Sequence, residues 1–307
     1  MPIVSIRHRT SYRYRNPVAF GEHRMMLRPA EGFDQRLIAF DLAISPEPAL
    51  LRQAHDLSDA CVAVARFETR SDLLTVESRA ELEHRIHDAF DLEADGAAIG
   101  ARRFAYDEDE AAALIGSVGP RHEGAGEVEA WARRFVRPVG ATRLSTLLGE
   151  MTHAIRADFT YRLRREGSPQ TPLETLERRT GSCRDFAVLM MEAARSLGLA
   201  ARFASGYVYG GSPKATAGPG HGHTHAWTRV YLPGAGWADF DPTNGIVGNA
   251  GLIRVAAAAD PRLAVPLHGA WRGMRSDFLG MEVEVDIRAD DPAAEQPTPL
   301  QRVAQTG

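Results

Sequence analysis

A cysteine at the start of a helix and a histidine on a strand are the residues of this chain whose setting suits covalent chemistry. Gly181-Ser182-Cys183-Arg184-Asp185-Phe186 precedes apolar positions at Phe186, Leu189/Met190, Ala193 and Leu197 and a terminating Gly198, the pattern of an amphipathic helix. Ser182 caps that helix, and Asp185 three residues on completes a capping box. Cys183 therefore falls in the first turn. Free N–H groups and the positive end of the helix dipole favour a thiolate there, and with a cation nearby such positions bring a thiol from ~8.5 into the ~3.5–7.5 range. The same N–H groups can donate to an oxyanion. A lone cysteine at a helix start is more often a small core residue, so the assignment depends on its partners.

The partners lie downstream. His225-Ala226-Trp227-Thr228-Arg229-Val230-Tyr231 reads as a strand with His225, Trp227, Arg229 and Tyr231 on one face. A Pro233-Gly234 turn makes Gly236-Trp237-Ala238-Asp239-Phe240-Asp241-Pro242-Thr243-Asn244 its hairpin partner, which can bring a carboxylate across from His225. Asp239 and Asp241 share a strand face, so spacing leaves both open. Thiol, imidazole and carboxylate together are what a cysteine acyl-transfer enzyme needs. Trp227 is expected to wall the substrate cleft, and Tyr161 in Phe159-Thr160-Tyr161 to lend a hydroxyl to the oxyanion. Asp185 reads as a capping carboxylate. Cys61, with no histidine near it in sequence, reads as inert.

A metal reading competes for the same histidine. His221, His223 and His225 alternate, and Asp239 or Asp241 could complete a zinc-type set. Gly218-Pro219-Gly220 and Gly222 instead put His221 in a loop, and the thiol reading accounts for His225 without metal. No metal and no cofactor are expected.

These residues need elements to hold them. From Val4 to about Arg85, period-two stretches such as Thr10–Arg15 and Arg36–Leu42 are separated by turn signals at Asn16-Pro17, Glu31-Gly32 and Ser45-Pro46. That predicts an antiparallel β-sandwich domain over 1–100. Residues 101–125 lose periodicity and read as a linker. A core of helices followed by an antiparallel sheet is expected over 126–289. In it Leu144, Leu147/Leu148, Met151 and Ile155 mark one helix face, and Thr171-Pro172-Leu173-Glu174 starts another helix. Glu282–Ile287 reads as a last strand of that core, and 290–307 as a disordered tail. The fold class is α+β.

Composition excludes other classes. With 307 residues, 44% hydrophobic and 25% charged, the chain is long enough for a real core and average for a soluble globular protein. Two cysteines rule out a disulfide-stapled scaffold. A net charge of −4, with acidic residues interspersed among basic ones of which only Lys214 is lysine, gives no basic face for nucleic acid. Charge in Met1–Arg9 does not suit a signal peptide, and no apolar run approaches the ~20 residues of a membrane span. No membrane partner and a cytoplasmic, reducing location are expected.

The run from Thr171 to Asn244 resembles the core of the transglutaminase-like enzymes of the papain-type superfamily, whose bacterial members carry G-x-C-x-D-F-A, then H-A-W, then G-W-x-x-x-D-P-T. The N-terminal stretch, through His8-x-Thr10-x-Tyr12-x-Tyr14-x-x-Pro17-Val18 and His23 to Leu27-Arg28-Pro29, resembles the β-domain preceding that core in a bacterial subgroup. The resemblance implies Cys183 as nucleophile, His225 as general base and acid, and Asp241, rather than Asp239, as the carboxylate orienting it. It implies a protein or peptide amide as substrate, with water or a second amine resolving a thioester. A binding module that has lost its activity is the opposing expectation, against which the intact Cys, His and Asp argue. One departure is Arg229, where many relatives have Glu; it bears on substrate preference more than on chemistry.

Overall fold

The computed structural model describes residues 1–86, 97–164, 167–210 and 224–290. His221, His223 and residues 291–307 of the expected tail lie outside the described residues, while Asp290 ends a strand. Strands β1 (Ile3–Met25), β2 (Gln35–Ser45), β3 (Leu50–His55), β4 (Cys61–Arg66) and β5 (Arg70–His84) come first. They are followed by β6 (Ala98–Ile99), α1 (Glu108–Leu114), α2 (Ala125–Arg133), β7 (Thr142–Arg143), α3 (Leu144–Asp158), β8 (Thr160–Tyr161), α4 (Pro172–Arg178), β9 (Thr180–Gly181) and α5 (Cys183–Ser196). Then come β10 (Ala201–Val208), β11 (His225–Leu232), β12 (Gly236–Asp241), β13 (Ile246–Val247), β14 (Leu252–Ala258), β15 (Leu267–Arg272) and β16 (Phe278–Asp290). Among the described residues no helix is long and apolar enough to cross a membrane.

The N-terminal strands form an antiparallel sheet built on β1. Buried Val4, Ile6, His8 and Thr10 alternate with the more exposed Ser5, Arg7 and Arg9, the period of a strand with one covered face. The first half of β1 pairs with β5 and β16, and its last residues pair with β4 and β15. Register breaks between Arg13 and Val18 and between Phe20 and His23 separate the two halves. One continuous strand therefore threads both, and among the described residues seven strands are linked through it. The strand at Glu282–Ile287, assigned to the core by its position in the sequence, runs along β1: Thr10 stands opposite Val283 and Tyr12 opposite Met281. Position in the chain carried no information about this long-range pairing.

The second unit is a five-stranded antiparallel sheet, in the order β13-β12-β11-β10-β14, packed against α5. Thr228 ties the layers, its hydroxyl donating to the Ala187 carbonyl at 2.8 Å. The predicted face of α3 is buried throughout, and α4 begins with Thr171 at the N-cap, Pro172 in the first turn and the Thr171–Glu174 capping box. Gly198 ends α5 at φ +93°, where a Cβ would strike the Phe104 backbone.

The stretch read as a linker holds α1 and is hydrogen-bonded into the core. The Tyr106 hydroxyl donates to the Tyr231 carbonyl at 2.8 Å, and the buried Arg195 guanidinium donates to the carbonyls of Ser117, Ala201 and Ala259. Two histidine–tyrosine contacts join the two sheets: His8 Nδ1 to Tyr207 Oη at 2.9 Å, and His84 Nδ1 to Tyr209 Oη at 2.7 Å. Arg254 adds an ion pair with Asp34 at 2.7 Å.

Candidate active site

Cys183 is the first residue of α5, 7% exposed. The turn before it is held by Asp185, which is fully buried. Its carboxylate accepts from the Ser182 N–H at 2.7 Å, the Ser182 hydroxyl at 2.9 Å and the Gln170 N–H at 2.7 Å, and pairs with Arg164 at 3.0 Å. Gly181 makes this possible, since a Cβ there would lie 2.8 Å from that of Asp185. Asp185 is thus the capping group the sequence suggested, four contacts deep in structural duty. Tyr161 pairs in parallel register with Gly181, which brings it to the helix start. Burial pushes its hydroxyl up to about 12, with the nearby charges of Cys183 and Asp241 adding to the effect.

The hairpin of β11 and β12 sets the imidazole and carboxylate. Thr228 stands opposite Phe240 and Arg229 opposite Asp239, so the same register carries Asp241 towards the start of β11. His225 Nε2 lies 2.8 Å from Asp241 Oδ2, both side chains fully buried. Burial opposes a charged imidazole, but Asp241 and then the Cys183 thiol overcome it and raise the His225 pKa to about 10. Burial likewise opposes ionised Asp241, and His225, Asn244 and the Thr243 N–H outweigh it and lower the carboxyl pKa. Nδ1 of His225 is buried with no hydrogen-bond partner. It is the ring atom left for Cys183, whose sulfur is near enough to favour the protonated imidazole.

Asp239 goes elsewhere. It accepts from the Trp227 indole N–H at 2.7 Å and pairs with Arg229 at 3.1 Å. The alternation that left both carboxylates open in the sequence is real, and register separates them. Trp227, expected to wall the cleft, is completely buried among Ala204, Val208 and Leu252, out of reach of a substrate. Its ring stacks near the imidazole, with centroids 6.1 Å apart at 23°. Arg229 also donates to the Trp237 carbonyl at 2.9 Å, and Asp34 and Arg254 lie near enough to act on its charge. That places it in the buried charge cluster against the N-terminal segment, away from the cleft where a substrate preference would be set.

Asn244 is the residue of this cluster that sequence reasoning passed over. Its Nδ2 donates to Asp241 Oδ2 at 2.7 Å and sits 3.4 Å from His225 Nε2. With the Thr243 N–H at 2.9 Å it fixes the carboxylate. The signal was the Asp-Pro-Thr-Asn turn, where an Asp side chain commonly accepts from the backbone two residues on.

Cys183 and His225 line one cavity of about 560 Å³ with Ser205, Phe203 and residues from three other segments. Cys61 is a free thiol, half-buried in β4, its pKa raised by burial against a smaller opposing effect of Arg28. Among the described residues no three His, Cys, Asp or Glu side chains are grouped to hold a metal ion.

Comparison with known proteins follows the same division. Residues 4–83 match the family described as "Bacterial transglutaminase-like N-terminal region", and residues 129–242 match the "Transglutaminase-like superfamily". An uncharacterised protein of Mycobacterium leprae is 33% identical over 122 residues, which span 39% of this chain and 42% of that protein. An uncharacterised protein of Mycobacterium tuberculosis (strain H37Rv) is 28% identical over 297 residues, covering 92% of this chain and 91% of the relative. A solved Cytophaga hutchinsonii structure named a "Putative Cysteine Protease" superposes with a TM-score of 0.68 at 18% identity, over 94% of this chain and 92% of that one.

Proposed function

We propose, from the match of residues 4–83 to a bacterial transglutaminase-like N-terminal region and of residues 129–242 to the transglutaminase-like superfamily, that this chain is a cysteine-dependent acyl-transfer enzyme acting on amide bonds of proteins or peptides. The observation that carries the reading is the His225 imidazole, tied through Nε2 to Asp241 at 2.8 Å and left unpaired at Nδ1 in the cavity it shares with Cys183.

In this reading the His225 imidazolium already holds at Nδ1 the proton given up by the thiol, and the Cys183 sulfur attacks the amide carbonyl. First-turn N–H groups of α5 stabilise the oxyanion, and Tyr161, whose hydroxyl feels the charge of Cys183, is the candidate for a further donor. Collapse of the tetrahedral adduct breaks the C–N bond, His225 returns its proton to the leaving amine, and a thioester remains on Cys183. Water, with His225 again as base, releases the acid. A second amine at the same step would give a new amide. We favour water, because a dry acceptor channel is a further specialisation. Asp241 keeps Nε2 protonated and holds the ring so that Nδ1 faces sulfur. A reducing, cytoplasmic location belongs to the same proposal, since oxidation of Cys183 would remove the nucleophile.

A panel of peptides and primary amines, read by mass spectrometry, tests the reaction class. Chain cleavage, Gln deamidation or amine adducts should appear with wild-type protein and vanish in Cys183→Ala, a loss of roughly 10⁴-fold or more. Full activity in that variant would exclude a cysteine enzyme, and no product from any member of the panel would favour a binding module.

A further inference from the structure

The last strand of the N-terminal sheet continues into the cavity. Along β16 one face carries Met281, Val283, Val285, Ile287 and Ala289, all half-buried, with exposed Glu282, Glu284, Asp286 and Arg288 between them. The three distal residues pack against the main core. Met281 and Val283 are on the same face but do not join that core; they line the cavity that contains Cys183 and His225. β10 does the same from the other unit. Its residues Phe203, Ser205 and Tyr207 share one face. Tyr207 meets His8 of β1, while Phe203 and Ser205 turn towards the cavity. The cavity is therefore a seam between the two units, and the N-terminal sheet supplies part of its wall.

That wall is apolar. Ala264, Val265 and Pro266, in the connection leading back to the N-terminal sheet, extend it. Arg164, Arg184 and Arg262 also line the cavity, but Ser205 is the lining side chain with a buried, unpartnered polar atom: it is 3% exposed and its hydroxyl has no hydrogen-bond partner. A buried hydroxyl beside an open cavity is a group without its complement, because buried polar atoms are otherwise almost always paired.

Resting on the acyl-transfer reading for what happens at Cys183, we propose that this seam is a specificity pocket for a bulky apolar side chain of the amide substrate carrying a hydrogen-bonding tip, as tyrosine does. Met281 and Val283 of the N-terminal sheet grip the apolar body and Ser205 meets the tip. A volume of about 560 Å³ accommodates such a side chain together with the adjoining amide. The N-terminal sheet is then a substrate-selecting part of the active site.

Binding can be separated from turnover by using full-length Cys183→Ala protein and titrating N-acetyl-tyrosinamide, N-acetyl-phenylalaninamide and N-acetylglycinamide by ligand-observed NMR. The tyrosine amide should bind at least tenfold tighter than the glycine amide. Val283→Trp, which fills the pocket, and Met281→Glu, a change at a half-exposed site that the fold tolerates more easily, should each erase that difference. Ser205→Ala should bring the tyrosine amide down to the level of the phenylalanine amide. Equal affinity for all three ligands would overturn the proposal, as would a tyrosine preference that survives in both strand variants. If the wild-type enzyme turned over no amide while these affinities behaved as described, the catalytic reading alone would fall.

Discussion

Two histidines of this protein are equally buried, each 2% exposed, and are driven in opposite directions. His225 faces Asp241 at 2.8 Å, and its pKa rises to about 10 although burial works against the charge. His8 faces only hydroxyls, Tyr207 at 2.9 Å and Thr10 at 3.1 Å, and burial lowers its pKa to about 4. Depth alone does not set protonation; the partner does. At the hairpin a carboxylate makes a ring that can take and return a proton. At the junction of the two sheets, hydroxyls make a neutral hydrogen-bonding strut.

Removing the carboxylate should break the contrast most strongly. Asp241→Asn leaves His225 buried without its counter-charge, and a loss in kcat of roughly 10³- to 10⁴-fold is expected from the effect of such a change on a related arrangement. The pH–rate profile should show whether the loss is electrostatic, because the imidazole pKa should fall in the variant.

The junction predicts an effect of different sign. The folded pKa of His8 lies below its unfolded value of 6.5, so the native state binds fewer protons, and stability is lost as pH falls from about 6.5 towards about 4. The full shift corresponds to on the order of 3 kcal/mol. Urea midpoints across that range should show the slope, and His8→Gln should flatten it. His225 contributes oppositely: its pair with Asp241 adds stability that is complete below about 6.5 and is lost as pH rises towards about 10. On the acid side the same pair weakens as pH falls below the ordinary carboxylate range, because the folded pKa of Asp241 is depressed.

A smaller change sharpens the picture at the hairpin. Asn244→Ala removes the 2.7 Å contact to Asp241 Oδ2 without touching Cys183. A fall in kcat of about tenfold with KM unchanged is expected, roughly the 1–1.5 kcal/mol of one hydrogen bond to a buried group. An unchanged kcat with a lower melting temperature would instead make Asn244 a stabilising residue only.

What the sequence made legible was local. The cap at Ser182, the apolar face of α3, the proline start of α4 and the hairpin after Leu232 all depend on residues a few positions apart, and each has its element in the fold. What it hid was set by distance. Nothing near Glu282–Ile287 in sequence announces that β1 is its partner, and nothing near Trp227 announces that Asp239 will accept from its indole. Spacing left Asp239 and Asp241 equivalent, because a two-residue period puts both on one face; the hairpin register separates them. Asn244 was visible only as part of a turn, since its role depends on a carboxylate already committed to His225.

The proposed chemistry depends on a thiol that can pass its proton to a buried, carboxylate-backed imidazole, and selective alkylation tests that most directly. A brief pulse of low iodoacetamide near neutral pH, quantified by mass spectrometry, should label Cys183 stoichiometrically while Cys61, whose thiol pKa is raised by burial, is spared. The labelling should slow sharply in Asp241→Asn. Equally slow labelling of both cysteines, or a Cys183 rate indifferent to Asp241, would contradict it.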